Sequence, residues 1–195
     1  AVDRIPNLPC SIRLANFLQL QHPYAVDLYV EKTLSHAKLV ILRLLGGKSY
    51  WPYGLEQLIA CAAENGQQLA ILPGDRNADP ALSAHSTVSP AVCQRMHAYF
   101  NAGGAGNAGL VLRYCCSLLG RGDEPAPASP LPNAGLYRKV EGGRHAAILF
   151  YRSLIEGAQL APIDALADAL AAAGVKVGLN PTEAGELMAE IVASL

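Results

Sequence analysis

Long apolar runs and an excess of charge of either sign are both missing from this sequence of 195 residues. Lys and Arg number 15 and Asp and Glu 16, so the formal net charge of -1 predicts no general attraction to nucleic acid or to an anionic membrane. No apolar stretch approaches the ~18 residues that a membrane-spanning helix needs. The chain opens Ala-Val-Asp-Arg, without a methionine or a basic-then-apolar leader, and we expect it to be an internal or trimmed piece.

Paired cysteine motifs and metal-ligand clusters are also missing. The five cysteines contain no CxxC pair, and their odd number argues against a disulfide framework or a structural zinc site. The five histidines are scattered, and no HExxH, GxSxG or GxxxxGK[ST] motif occurs. We therefore predict no metal site in this chain. Free cysteines that serve as small core residues fit a reducing, cytoplasmic compartment.

The sequence does contain enough apolar residues for a folded core. They make up 51% of it, and the mean hydropathy is +0.21, which excludes a disordered chain. Residues 120–136 interrupt this composition with four prolines, which permit neither a helix nor a strand ladder. We expect an α/β domain over residues 1–119, a linker over 120–136, and a second, incomplete α/β unit over 137–195.

Short apolar runs alternate with segments of helical spacing. The runs predict buried strands over residues 37–45, 68–72, 146–151 and 175–179. Helical spacing with terminal Pro and Gly predicts helices over residues 24–35, 53–64, 90–102, 107–119 and 161–173, and a last one that follows a cap at Asn180–Glu183. Strands separated by such helices pair in parallel. The predicted class is α/β: an open, mainly parallel sheet, Rossmann-like or flavodoxin-like, with a second α/β unit beginning after the linker.

Residues 104–109 match the dinucleotide-binding pattern GxGxxG letter for letter. That pattern holds a pyrophosphate only where it follows a strand and opens a helix, because the N–H groups of the helix bind the phosphates. The preceding residues have helical spacing here, so we expect the glycines to connect two helices, with Asn107 as an N-cap. A stand-alone nucleotide-binding oxidoreductase remains an alternative that requires a strand directly before Gly104.

The segment Arg43–Glu56 combines glycines, aromatic rings and cations directly after a predicted buried strand. Ligands of open α/β sheets bind beyond the carboxyl ends of the strands. The segment contains the only tryptophan, Trp51, together with Tyr50 and Tyr53. Spacing alone leaves two interpretations open: a binding site, or aromatic side chains that simply cover the sheet edge.

The same segment carries a family resemblance. Residues 43–58, RLLGGKSYWPYGLEQL, strongly resemble the N-terminal region of the large subunit of aerobic, ATP-dependent cobaltochelatase, the CobN family. Further similar stretches follow the family's order, and they read PCSIRLANFLQLQHPYAVDLY (9–29), AILPGD (70–75), YFNAGGAGN (99–107) and AILFYRSLIEGAQLAPIDALADA (147–169). The magnesium-chelatase large subunit is a more distant relative. After Gly174 the sequence departs from the family pattern.

The resemblance implies an enzyme that inserts Co²⁺ into the corrin ring of hydrogenobyrinic acid a,c-diamide during cobalamin biosynthesis. It also implies that partner AAA+ subunits hydrolyse ATP, which agrees with the lack of a P-loop motif here. Residues that accept the ring protons and handle the metal are expected elsewhere in a longer subunit, so no catalytic or metal-binding residue is assigned. No cofactor is expected in this fragment; Co²⁺ and ATP belong to the whole complex.

What the fragment is expected to contribute is binding. A corrin is flat and apolar across its face, with carboxylates and amides around its rim. We predict that Tyr50, Trp51 and Tyr53 stack on the face and that Arg43 and Lys48 pair with rim carboxylates; Glu56 is expected to hold Arg43 in place. The alternative is a scaffold or docking arm that contacts the ATPase subunits and binds no ligand of its own.

Overall fold

Two compact units make up the chain in its computed structural model, which describes residues 8–131, 137 and 145–182. The first unit contains the described residues up to Asn101 together with Gly109–Ala128. The second contains Ala102–Ala108 and the described residues from Ser129 onward. The predicted division at residues 119 and 136 stays a prediction, because residues 132–136 and 138–144 lie outside the described part.

A parallel pair of strands forms the centre of the first unit. The elements up to residue 118 are α1 (Pro23–Lys32), β1 (Leu39–Leu44), α2 (Pro52–Asn65), β2 (Gln68–Pro73), α3 (Pro80–Ser83), α4 (Pro90–Ala102) and α5 (Gly104–Leu118). The register of β1 and β2 runs from Leu39 opposite Gln68 to Leu44 opposite Pro73. A proline at the start of α2 and Gly66 at its end, with φ of 62°, fix the crossover helix between them.

Both faces of this strand pair are buried, as the continuous apolar runs predict. Leu69 and Ile71 of β2 face one core cluster, which includes Val26 and Leu55 from α1 and α2. The alternate residues of β2 face a second cluster with side chains of α4 and α5, namely Ala70, Leu72, Cys93, Met96, Tyr99, Val111 and Tyr114. Because β2 is covered on both sides, its ladder and the end of β1 have fixed positions.

The second unit repeats the parallel arrangement. Its elements are β3 (His145–Tyr151), α6 (Ser153–Glu156), α7 (Ala161–Ala172) and β4 (Lys176–Thr182). The strands β3 and β4 pair in parallel, with His145 opposite Lys176 and Tyr151 opposite Thr182. Phe150 and Ala167 are the buried residues of its core cluster. In the described part of the chain, each of the two sheets has two strands.

Parallel pairing through helical crossovers is thus confirmed, and two local predictions are wrong. Asn180–Thr182 belongs to β4 and not to a helix cap, because β4 continues to Thr182 along its partner. The helix predicted after it falls at residues 183–195, outside the described residues. Asn107 is not an N-cap, because α5 already begins at Gly104.

The GxGxxG segment lies between two helices. Gly103 and Gly104, with φ of 64° and 77°, form the sharp turn from α4 into α5. No strand precedes Gly104, since residues 90–102 are helical. A dinucleotide site requires a strand directly before the glycines, and none is present there. The alternative of a nucleotide-binding oxidoreductase is therefore wrong. Among the helices that the structure describes, none is long and apolar enough to cross a membrane.

Substitution of Gly54 tests the packing of the crossover helix. A Cβ at Gly54 would lie 2.0 Å from two atoms of the Trp51 ring, so Gly54→Ala forces a buried ring to move. We expect a loss of roughly 3 kcal/mol in the free energy of unfolding. Urea unfolding followed by Trp51 emission and circular dichroism measures it.

Gly106→Ala is the control, because Gly106 is also helical but has nothing within 4 Å of an added Cβ. Alanine there should be neutral or stabilise by up to about 1 kcal/mol. Equal stability of the two variants would contradict the close packing of Trp51 on Gly54.

Candidate functional site at the carboxyl ends of β1 and β2

A cleft of ≈ 400 Å³ opens where β1 and β2 end side by side. Its lining comes from the loop after β1, the loop after β2 and the start of α3, and comprises Leu44, Gly46, Gly47, Pro73, Asp75, Asn77, Ala78, Asp79, Pro80 and Ala81. This is the place where α/β sheets bind ligands. An opening therefore lies beyond a buried strand, but none of the six predicted binding residues lines it.

Local backbone turns fix the polar groups of the cleft. Asp79 caps α3, with its Oδ1 accepting from the Leu82 N–H at 2.9 Å. Asp75 Oδ1 accepts from the Asn77 N–H at 3.0 Å in a tight turn. Each carboxylate keeps unused lone pairs, so the cleft presents hydrogen-bond acceptors to a ligand that carries N–H groups.

Trp51 is a core residue, and its predicted role as part of a stacking wall is wrong. Its side chain is 7% exposed, and its indole N–H donates to the Leu20 carbonyl at 2.8 Å. The ring lies 5.9 Å from that of Phe17 and packs against Gly54. A ring enclosed in this way has no free face for a ligand.

The two neighbouring tyrosines remain at the surface. Tyr50 is 56% exposed, and the edge of its ring meets Phe17 at a centroid distance of 5.8 Å. Tyr53 is partly exposed and donates its hydroxyl hydrogen to Asp27 Oδ1 at 2.6 Å. The hydrogen bond to Asp27, followed by desolvation, raises the pKa of Tyr53. Tyr50 therefore offers the freer ring of the two.

The cations of the loop occupy different environments. Lys48 is exposed, one residue after the cleft glycines. Arg43 is half-buried: its guanidinium lies 4.5 Å from the centroid of the Phe100 ring and donates to the Gly74 carbonyl at 3.1 Å. Burial lowers the pKa of Arg43. Lys48 is thus free to meet an anion, whereas Arg43 is committed to internal contacts.

The predicted contact between Glu56 and Arg43 is wrong. Side chains alternate along β1, so Leu42 and Leu44 face the cluster beneath α2 while Arg43 faces Phe100 on the opposite side. Glu56 lies on α2 and is exposed. In the part of the chain that the structure describes, the two side chains form no ion pair, because the strand pair separates them.

Arg95 is a structural residue that the sequence patterns did not indicate. Its guanidinium lies 4.8 Å from the centroid of the Tyr114 ring, and its Nε donates to the Tyr99 hydroxyl at 3.2 Å. It also pairs with Glu124, and Tyr99 donates to the Ala126 carbonyl at 2.6 Å. These contacts hold the first part of the proline-rich connector. The spacing of Arg95 and Tyr99, one helical turn apart, was the available signal.

Asn107 performs a similar task in the second unit. Its Oδ1 accepts from the Ser129 N–H at 2.9 Å, and its Nδ2 donates to the carbonyls of Ser129 and Gly103 at 2.8 Å each. The side-chain amide of Asn107 therefore bonds to both the N–H and the carbonyl of Ser129, as the backbone of a paired strand would. The sequence indicated a special role for Asn107 but assigned it to the wrong backbone groups.

Metal-ligating side chains do not converge in the described ranges, where no group of three or more His, Cys, Asp or Glu residues is placed to hold a metal ion. The cleft itself offers acceptor oxygens and glycine backbone, and the loop beside it carries the exposed side chains of Lys48, Tyr50 and Tyr53. Such a set can bind a flat, partly polar molecule at its edge, but it presents no acid, base or nucleophile with an evident chemical partner.

Comparison with known proteins gives the family. The aerobic cobaltochelatase subunit CobN of a Sinorhizobium species is 42% identical over 188 residues, which are 85% of this chain. The CobN subunit of Pseudomonas aeruginosa is 39% identical over 196 residues, or 93% of this chain. The catalytic subunit of cobaltochelatase from Mycobacterium tuberculosis superposes with a TM-score of 0.70 at 26% identity, over 81% of this chain and 14% of that one. No family model matches.

These similarities first define a class: the chain has the sequence and fold of part of a cobaltochelatase subunit. Within that class it corresponds to a segment of the CobN family, which confirms the resemblance seen in residues 43–58. The chain spans about 15% of the length of the curated relatives that it matches.

Arg43→Lys tests the structural role of Arg43. A lysine loses the flat stack on Phe100 and the fixed hydrogen bond to Gly74, so we expect a loss of about 1–2 kcal/mol in stability. Lys48→Ala, which removes an exposed cation of the same loop, should change stability by less than about 0.5 kcal/mol. Chemical unfolding of both variants makes the comparison, and an unaffected Arg43→Lys would show that the guanidinium geometry does not matter.

Proposed function

We propose that this chain is the part of a cobaltochelatase large subunit that holds the edge of the tetrapyrrole while Co²⁺ is inserted into it. The substrate would be hydrogenobyrinic acid a,c-diamide, and the product would lead to cobalamin. The observation that carries the proposal is the identity of 39–42% to CobN subunits over 85–93% of the chain. Co²⁺ is a substrate in this reaction.

The composition of the cleft suits the rim of such a ring. The N–H groups of the rim amides can donate hydrogen bonds to the carboxylates of Asp75 and Asp79. The rim carboxylates can pair with the ammonium group of Lys48. The exposed ring of Tyr50 can cover part of the apolar face. Of the predicted binding residues, Lys48, Tyr50 and Tyr53 remain candidates for contact with the ligand. Arg43 and Trp51 instead stabilise the loop that carries them.

The remaining steps of metal insertion are assigned to other parts of the complex. Dehydration of Co²⁺, deformation of the ring and removal of its N–H protons all require groups that act at the ring centre. The cleft residues act at an edge, so the chain contributes position and not proton transfer. Hydrolysis of ATP by AAA+ partner subunits and a cytoplasmic location, to which the five free cysteines are suited, belong to the same proposal.

The finer fold class is also part of the proposal. A strand, a crossover helix and a parallel second strand are the building block of Rossmann-like and flavodoxin-like sheets. Both units contain this block among their described residues. We propose that each is the start of such a sheet.

A second candidate function is docking of the ATPase subunits without any ligand. Leu14 is 82% exposed and Leu18 is 51% exposed, both in the segment before α1. Neighbouring apolar side chains that form one exposed patch mark a surface for protein contact. This observation favours a docking arm on that side of the first unit, while the cleft favours ligand binding.

Titration of the chain with hydrogenobyrinic acid a,c-diamide distinguishes the two functions. The tetrapyrrole absorbs where tryptophan emits, so binding near Trp51 should quench its fluorescence. Tyr50→Ala should weaken binding by roughly 2- to 10-fold, because stacking contributes about 0.5–1.5 kcal/mol. Lys48→Ala should weaken it a few-fold and reduce its dependence on salt.

Tyr24→Ala is the matched control, since Tyr24 is an exposed tyrosine of α1 outside the loop. It should bind as tightly as the parent chain. Absence of quenching by the parent chain, or equal affinities for Tyr50→Ala and Tyr24→Ala, would reject the binding role and leave docking as the better proposal.

A further inference from the structure

The two edges of the sheet formed by β1 and β2 differ in how their backbone groups are used. On the outer edge of β2, the Leu69 N–H donates to Thr87 Oγ1 at 2.7 Å. The Ile71 N–H donates to Ser86 Oγ at 2.9 Å. The Thr87 N–H in turn donates to the Leu69 carbonyl at 2.8 Å. Residues of the first unit itself therefore close this edge, and no further strand can pair there.

The outer edge of β1 has no such cover. The Lys38 carbonyl accepts from the Gln68 N–H at 3.1 Å, so the backbone groups of Lys38 point toward β2. At the other end the Leu44 carbonyl accepts from the Gly74 N–H at 2.9 Å. Because backbone groups alternate in direction along a strand, those that point away from β2 belong to Leu39, Ile41 and Arg43. In the described ranges these outer-edge N–H and carbonyl groups have no hydrogen-bond partner.

Burial shows the same difference between the two strands. Leu69 and Ala70 of β2 are 0% exposed, whereas their register partners Val40 and Ile41 on β1 are only partly buried. The first four residues of β1 read LVIL, with neither the charge nor the proline by which exposed strand edges avoid pairing. A continuous apolar run of this kind is typical of a strand with neighbours on both sides. β1 therefore has the sequence of an inner strand and the surroundings of an edge strand.

We propose that the outer edge of β1 is the pairing site for a further strand, which a part of the same cobaltochelatase subunit outside these 195 residues supplies. Donors and acceptors spaced two residues apart recognise an extended backbone and not a particular side chain. The inference rests on the proposed place of the chain in a large subunit, and it names the edge at which the proposed sheet grows. It does not depend on binding of the tetrapyrrole, so either proposal can fail while the other holds.

The size of the edge favours a strand of the same subunit over a separate molecule. β1 has six residues, which make an edge about 20 Å long. Independent partners that form a stable complex bury about 800 Å² each, which one short strand edge does not provide. A segment of the same polypeptide is held at a high effective concentration and pairs without that area. The chain spans about 15% of the length of its curated relatives, so most of the subunit is left to supply such a strand.

Hydrogen exchange resolved to single amides tests the edge. In the 195-residue chain, kept monomeric as judged by sedimentation, the outer-edge amides of β1 should exchange roughly 100-fold faster than the alternate amides that face β2. In the full-length subunit that contains the chain, both sets should exchange slowly. The Leu69 amide, which is bonded to Thr87, is the internal control and should be slow in both proteins. Slow exchange of the outer-edge amides in the monomeric chain, or fast exchange in the subunit, would overturn the proposal. Protection that appears only when the chain dimerises would overturn it in favour of a second copy.

Two substitutions of Ile41 identify the contact as strand pairing. Proline removes the outward N–H and places its ring where the carbonyl of a paired strand would lie, while the bonds from β1 to β2 remain. In the full-length subunit, Ile41→Pro should return the amides of Leu39 and Arg43 to fast exchange. Ile41→Val keeps the N–H and should leave them slow. Equal protection in the two variants would show that no strand pairs at this edge. Should Ile41→Pro fail to fold, exchange in the parent subunit decides alone.

Discussion

The parallel contact between β1 and β2, buried on both faces, is the constraint on which the first unit depends. A two-stranded sheet cannot stand alone in water, since its apolar faces need cover. Here α1 and α2 supply it on one side and α4 and α5 on the other, with Leu69, Ala70, Ile71 and Leu72 fully enclosed. The ends of both strands are thereby fixed side by side, and the cleft between their loops is the necessary result.

Much of this arrangement could be predicted because local chemistry determines it. A short, continuous apolar run that ends at glycine or proline favours a buried strand, and β1 and β2 lie where such runs occur. Gly66 at the end of α2 has the positive φ that glycine permits. The order of strand, helix and strand then favours parallel pairing, so sequence patterns place the ends of β1 and β2 at one edge but do not identify the residues that line the cleft.

The directions of individual side chains could not be predicted in the same way. Whether Trp51 faces water or the core depends on where the Leu20 carbonyl lies, and Leu20 is distant in sequence. Whether Arg43 meets Glu56 depends on which face of β1 each helix covers. Asn107 finds its partner in Ser129, beyond the end of its own helix. Each error concerns a long-range contact, which periodicity does not encode.

The segment before α1 connects these long-range contacts. At one end the Pro9 carbonyl accepts from Arg121, and at the other the Leu20 carbonyl accepts from Trp51. Restricting one end of a short segment lowers the entropy lost when the other end is ordered. The Arg121 contact and the aromatic loop are therefore linked through this segment, so the hydrogen bond at Pro9 supports the Trp51 contact and, through it, the loop that borders the cleft.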